Sequence, residues 1–373
     1  MNPSPDACLL TPTGFLRGRL RCDDRGRIAA IDGTPIDEAQ ARASGLPWLL
    51  PGFIDLHLHG GAGRDVMQGG DSAQAIAQLH ARHGTTSWLA TTMTAPQEDL
   101  TQAFTALAPL CQAPAPAGAR VLGVHLEGPY ISEQRLGAQP DFVRPAQLGE
   151  IRALHALAPI RLLTLAPEVH GNQALIEALC AMGMRVQIGH SSGSYEQGVA
   201  ALRCGATGFT HLFNAMSGLH HREPGMVGAA LAHAEYAELI PDLLHVHPGA
   251  MRAALRAIPR LYCVTDATAA AGMPDGPYQL GRQTVNKCLG GVRLADGTLA
   301  GSVLTMDAAL RNLVQALGLS LAEASARVST HAADHLGLAD RGRLAPGAWA
   351  DLVLLDPQLQ VQAVWVEGRL QAR

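Results

Sequence analysis

Lysine is nearly absent: Lys287 is the only one among 373 residues. That argues against a lysine Schiff base and against a phosphate-cradling Gly-Lys-Ser/Thr loop, which does not occur. Paired cysteines are missing too. The seven cysteines, at 8, 22, 111, 180, 204, 263 and 288, are odd in number and scattered, with no Cys-x-x-Cys. This argues against a disulfide scaffold or a zinc ribbon, and reduced thiols in a cytoplasm are the expectation. No apolar run approaches the ~18 residues of a membrane span, so no membrane partner is expected. The first residues, Met-Asn-Pro-Ser-Pro-Asp, carry neither the basic nor the apolar stretch of a secretory signal. Positive charge is not in excess. The formal net charge of −4 and a pI near 6.5 offer no basic face for nucleic acid. What the chain does have is 47% hydrophobic and 16% charged residues, which suits a folded, well-buried protein. Its length exceeds a usual single core, so one large domain plus a small one is expected.

The stretch 51–60 reads Pro-Gly-Phe-Ile-Asp-Leu-His-Leu-His-Gly. In a strand the side chains alternate, so Asp55, His57 and His59 share one face. Two imidazoles on one face at a strand end can reach a single metal ion. Gly60 and Gly61 are expected to end the strand and leave room above it.

From residue 54 onward, eight apolar runs alternate with helical patterns: 54–59, 86–92, 121–127, 161–166, 185–190, 207–212, 236–241 and 261–266. Helix candidates between them include 71–83, with Asp71 or Ser72 as N-cap and Gly84 as the stop. Others run about 98–109, 145–157, 172–183, 195–204 and 248–257. Such alternation predicts a closed parallel (β/α)8 TIM-type barrel. Residues 270–302 suggest an inserted hairpin, and helical pattern resumes at 305–317 and 321–327. Both chain ends read as short strands, so a small β-sandwich domain built from both termini is expected. The domain boundaries are then 1–50 and 336–373 for the small domain and 51–335 for the barrel. The alanine- and proline-rich 113–119 reads as a loop.

Chemistry in such barrels sits at the C-terminal strand ends. There the sequence places His57 and His59, then Glu127, His190, His211 and Asp266. Neutral imidazoles with a carboxylate suit Zn²⁺ or Fe²⁺, and a bound ion makes hydroxide available at neutral pH. Asp266 is the candidate proton shuttle. No strand end offers a lysine that could be carboxylated to bridge two ions, which leaves Glu127 as the candidate bridge. His190 is followed by Ser191-Ser192-Gly193-Ser194, so the glutamate that nucleobase deaminases place after this histidine is missing.

With 125–129 (His-Leu-Glu-Gly-Pro), 189–191, 210–216 (Thr-His-Leu-Phe-Asn-Ala-Met), 222–225, 264–267 and 301–306, the chain resembles the N-acetylglucosamine-6-phosphate deacetylase family of the amidohydrolase superfamily. The resemblance covers nearly its whole length. It implies a first metal site at His57 and His59, a second at His190 and His211, Glu127 bridging when both fill, and one or two ions per subunit. It implies that Asp266 takes a proton from the attacking water and gives one to the amine. Asn214, Ala215, His245 and Met306 fall in motifs that contact the sugar phosphate. Arg222 resembles an arginine that reaches the neighbouring subunit's substrate, which implies a homodimer. Gln139 stands where some members carry a histidine, so carbonyl activation is open. The segment before His245 also lacks an expected glycine.

The implied reaction is hydrolysis of the acetamide of N-acetylglucosamine 6-phosphate. The alternatives are the galactosamine epimer, another amide, or a non-catalytic sugar-phosphate binding protein. Among the other histidines, His125 shares the Glu127 face and reads as structural. His220 and His221 sit in a loop next to Arg222 and read as solvated or near the phosphate. His247 is not expected to bind metal, and the remaining ones read as packing or surface residues. Asp351 reads as a strand-start residue of the small domain.

Overall fold

The computed structural model describes residues 4–113 and 117–372. Part of the 113–119 loop and the first three residues of the chain start therefore lie outside the described residues. Six parallel strands run in chain order: Phe53–Leu58, Thr85–Thr92, Arg120–Glu127, Ile160–Leu165, Arg185–Ile188 and Gly208–Phe209. Their residues are almost all buried, as expected of parallel strands covered on both faces. A seventh and eighth, Glu238–Leu239 and Tyr262–Cys263, pair with each other in parallel. Two joints close the ring. Leu212 N–H donates to the Glu238 carbonyl at 2.9 Å, and Asp266 N–H donates to the His57 carbonyl at 2.9 Å. The eight apolar runs are therefore the eight staves of one barrel.

The helices between them are amphipathic. Ser72–Arg82 buries Ala73, Ile76, Ala77, Leu79 and His80, and Gln97–Gln112 buries Leu100, Ala103, Phe104 and Leu107. Both sets repeat at three- and four-residue spacing and cover the barrel wall. Gly84, at φ +87°, ends the first of these helices.

The ends of the chain share one sheet of seven strands. Its order is Arg369–Leu370, Val361–Val366, Leu352–Leu355, Trp48–Pro51, Ala7–Thr11, Gly14–Cys22 and Ile28–Ile36. Trp48–Pro51 is the seam, antiparallel to a C-terminal strand and parallel to an N-terminal one. It runs straight on into the first barrel strand. Asp351, just before Leu352–Leu355, is buried and accepts from Arg341 and from Glu367 N–H.

Three features differ from the sequence expectation. The insertion is a three-stranded antiparallel sheet, Gly276–Leu280, Gln283–Cys288 and Gly291–Arg293, rather than a hairpin alone. The helix expected to stop at 327 continues through a wide turn, Ala326–Thr330, into His331–His335. Ser329 looks like a breaker, but its hydroxyl donates to the Ser325 carbonyl at 2.6 Å and stays within the helix. Third, Gly60 and Gly61 do not leave open space. A Cβ on Gly60 would lie 2.5 Å from the Ala269 nitrogen, and one on Gly61 2.7 Å from Leu79 Cδ2. They are glycines because neighbours press on them.

Candidate active site

The strand ends deliver their polar residues to one point on the barrel axis. Sharp backbone turns help. His190, His211 and Asp266 have φ of +47°, +30° and +49°, a region non-glycine residues seldom occupy. Each turn swings a side chain inward just as its strand ends.

Glu127 sits at the centre and presents its two oxygens to two histidine pairs. Oε2 lies 3.4 Å from His57 Nε2 and 3.2 Å from His59 Nε2. Oε1 lies 3.1 Å from both His190 Nε2 and His211 Nε2. Asp266 Oδ1 adds a contact of 3.3 Å to His59 Nε2 and 3.5 Å to His57 Nε2. The sequence-derived set thus converges, and all six side chains are buried.

The far sides of the rings show which nitrogens face the centre bare. His59 Nδ1 donates to the Thr91 carbonyl at 3.1 Å, and His190 Nδ1 to the Arg135 carbonyl at 2.8 Å. A carbonyl only accepts, so each of these rings, when neutral, has a lone pair on Nε2. His57 Nδ1 faces Glu238 Oε2 at 2.9 Å. Nε2 atoms that lie 3.0 Å apart in His190 and His211, and 3.2 Å apart in His57 and His59, repel unless a cation lies between them. Ligands about 2.0–2.1 Å from a tetrahedral ion lie about 3.3 Å from one another, so these spacings fit Zn²⁺ or a similar divalent ion. His57, His59 and Glu127 form one candidate metal group, and Glu127, His190 and His211 form another.

Burial raises the pKa of the Asp266 carboxyl, but positive charge at the His57 position, carried by a ring proton or by an ion bound there, and a hydrogen bond from His59 outweigh it and hold the group at about 2. It is a carboxylate at neutral pH, able to accept a proton. Burial pushes His125 well below the usual imidazole range and keeps it neutral. It lies below the site, with Nε2 2.7 Å from Thr164 Oγ1.

Above the centre is a cavity of about 210 Å³. Gln139, Asn214, Ala215 and His245, all expected at the substrate, line it. His245 Nδ1 lies 2.6 Å from Asp242 Oδ2, a bond that raises its pKa against the effect of burial. Gln139 accepts from Thr94 N–H at 2.7 Å, which fixes its amide orientation and makes its NH₂ donate to Glu127 Oε2 at 2.7 Å. Its direct partner is thus the central carboxylate.

Two expected substrate contacts lie elsewhere. Met306 is fully buried in the barrel's hydrophobic core, and its side chain does not line the cavity. Arg222 is exposed on a loop beside His220, where it lines a separate cavity with Ser192 and Tyr195. His247 caps the helix Pro248–Ala257, taking Gly249 N–H at 3.1 Å.

Sequence reading missed Met93, Leu280 and Leu299, the apolar part of the cavity wall. Met93 and Leu280 belong to the insertion's own small core, so a sequence-distant sheet shapes the cavity. It also missed Glu238, whose only signal was a charge inside an apolar run.

Residues 48–370 match the amidohydrolase family. The chain belongs to the amidohydrolase family. Among its amidohydrolase relatives is N-acetylgalactosamine-6-phosphate deacetylase of Escherichia coli O157:H7, 44% identical over 97% of both chains. Another is N-acetylglucosamine-6-phosphate deacetylase of Lysinibacillus sphaericus, 40% identical over 87% of this chain and 86% of that one. A solved mutant of the Mycobacterium smegmatis N-acetyl-D-glucosamine-6-phosphate deacetylase, in complex with N-acetyl-D-glucosamine-6-phosphate, superposes with a TM-score of 0.89. It is 35% identical and covers 97% of each chain.

Proposed function

We propose that this amidohydrolase removes the acetyl group from N-acetylglucosamine 6-phosphate, giving glucosamine 6-phosphate and acetate. The observation that carries the reading is the convergence of four imidazoles, Glu127 and Asp266 on one point at the floor of a cavity. The named relatives support the substrate class.

His57, His59 and Glu127 would hold one divalent ion, Zn²⁺ or Fe²⁺, and Glu127, His190 and His211 a second. A bound ion supplies Lewis acidity for the acetamide carbonyl and for the attacking water. Asp266 takes the proton from that water and delivers it to the departing amine. Gln139 keeps Glu127 oriented. His245, polarised by Asp242, is a donor toward the sugar or its phosphate. Arg222, which lines a separate cavity and not the one above the centre, reaches the phosphate bound by a second copy in a homodimer, where its planar fork suits that anion. A cytoplasmic location fits an enzyme with seven free thiols. Among the described residues, no helix is long and apolar enough to cross a membrane.

A second reading, the galactosamine epimer, is favoured by the Escherichia coli relative at 44% identity. Acetate release from both 6-phosphates and from unphosphorylated N-acetylglucosamine separates the readings. Preference for the glucosamine compound supports the proposal. Preference for the galactosamine compound replaces the substrate but keeps the chemistry. Equal turnover without phosphate removes the role of Arg222. Binding of a phosphorylated sugar without acetate release would favour the binding-protein alternative.

A further inference from the structure

We propose that Glu238 is a positioning residue of the metal centre: it fixes His57 as the tautomer with hydrogen on Nδ1 and so turns the Nε2 lone pair toward the cation. The proposal rests on the reading that His57 holds a metal ion.

Glu238 stands on the seventh barrel strand and is fully buried. A buried carboxylate needs a partner, and among the described residues its one ionic partner is His57, 2.9 Å from Oε2. A bare Nδ1 at that distance would set two acceptors against each other in a dry core. The carboxylate therefore requires the hydrogen on Nδ1. The same oxygen accepts the backbone N–H of His211 at 3.1 Å. One side chain thus anchors a member of each histidine pair.

Glu238 is itself held from the eighth and fifth strands. Tyr262 donates its hydroxyl to Oε1 at 3.3 Å and accepts from Gln187 Nε2 at 2.5 Å. Thr210 donates to Gln187 Oε1 at 3.0 Å. His59 and His190 lean on neutral backbone carbonyls, while His57 alone leans on a carboxylate. A charged acceptor raises the basicity of the ring that faces the metal.

The test is Zn²⁺ binding to the full chain by chelator competition, for wild type, Glu238→Gln and Tyr262→Phe. Gln keeps an oxygen toward His57 and His211, removes the charge, and replaces the acceptor of the Tyr262 hydroxyl with an NH₂ group. Zn²⁺ affinity is expected to fall about 10- to 100-fold in Glu238→Gln, and by a smaller factor in Tyr262→Phe. Nitrogen-15 NMR of the histidine rings in the Zn²⁺-loaded wild type, with His57 assigned by its loss in His57→Asn, should show hydrogen on Nδ1. Folded Glu238→Gln with wild-type affinity would overturn the proposal. If that variant does not fold, a wild-type His57 carrying hydrogen on Nε2, or undiminished affinity in Tyr262→Phe, would overturn it. Wild type that binds no Zn²⁺ would instead remove the metal-centre reading, and the proposal with it.

Discussion

At the scale of single residues, the candidate site is a matter of which oxygen faces which nitrogen. Glu127 divides its two oxygens between two histidine pairs, and Gln139 holds it in that pose. Gln139→Ala removes the NH₂ from Glu127 and leaves Thr94 N–H without its acceptor. A loss of about 10-fold or more in divalent-metal affinity is expected; unchanged chelator competition would show that the bond does not orient Glu127. His57, His59, Glu127, His190, His211 and Asp266 were legible because each ends an apolar run, where a costly polar residue calls for a reason. Glu238 was not, because it lies inside its run and its partners come from distant strands. The role of Gln139 was hidden for the same reason: Thr94 and Glu127 are 45 and 12 positions away. Met306 stood in a matching motif, yet its long apolar side chain found more to bury in the core than in the cavity.

At the scale of elements, hydrophobic patterning revealed all eight barrel staves. It overstated the length of several. The sixth, seventh and eighth have only two residues each in regular pairing, although their apolar runs are longer. Burial in a barrel wall, not ladder length, makes a run apolar. The helices bring a pH dependence. Burial lowers His80 to about 4 and His335 to about 3. Both are neutral when folded, whereas the unfolded chain binds protons below about pH 6.5. Their share of stability is whole above that pH and is lost as pH falls toward 4 and 3. Each can contribute about 1.4 kcal/mol of loss per pH unit in that window. The Tm should therefore drop between pH 7 and pH 5, less steeply in His335→Gln. An equally steep profile in that variant would assign the acid sensitivity elsewhere.

At the scale of the whole molecule, the small sheet and the barrel share buried charge. Arg341 is paired with Asp351 and Glu367 and reaches Ser87 on the second barrel strand at 3.4 Å. Arg341→Ala would leave the buried Asp351 without its cation and Glu367 with only Arg120 at 3.9 Å, and should cost about 3–5 kcal/mol in denaturant unfolding. A loss under ~1 kcal/mol would mean that water takes its place. The sequence suggested this architecture because both ends read as strands, but not that Trp48–Pro51 joins them, since pairing order leaves no local mark. The role proposed for Arg222 lies beyond the single chain. Arg222→Ala should raise KM for the 6-phosphate at least tenfold and leave turnover of any unphosphorylated sugar unchanged. Equal effects on both would deny it the phosphate.

The central claim is that Asp266 moves the proton for metal-dependent amide hydrolysis. The most direct measurement is acetate release from N-acetylglucosamine 6-phosphate by Zn²⁺-replete wild type and Asp266→Asn, with Zn²⁺ content determined in both. The account predicts a loss in kcat of about 10²–10⁴-fold with the metal retained. Turnover by Asp266→Asn within a few-fold of wild type at equal Zn²⁺ content would contradict it.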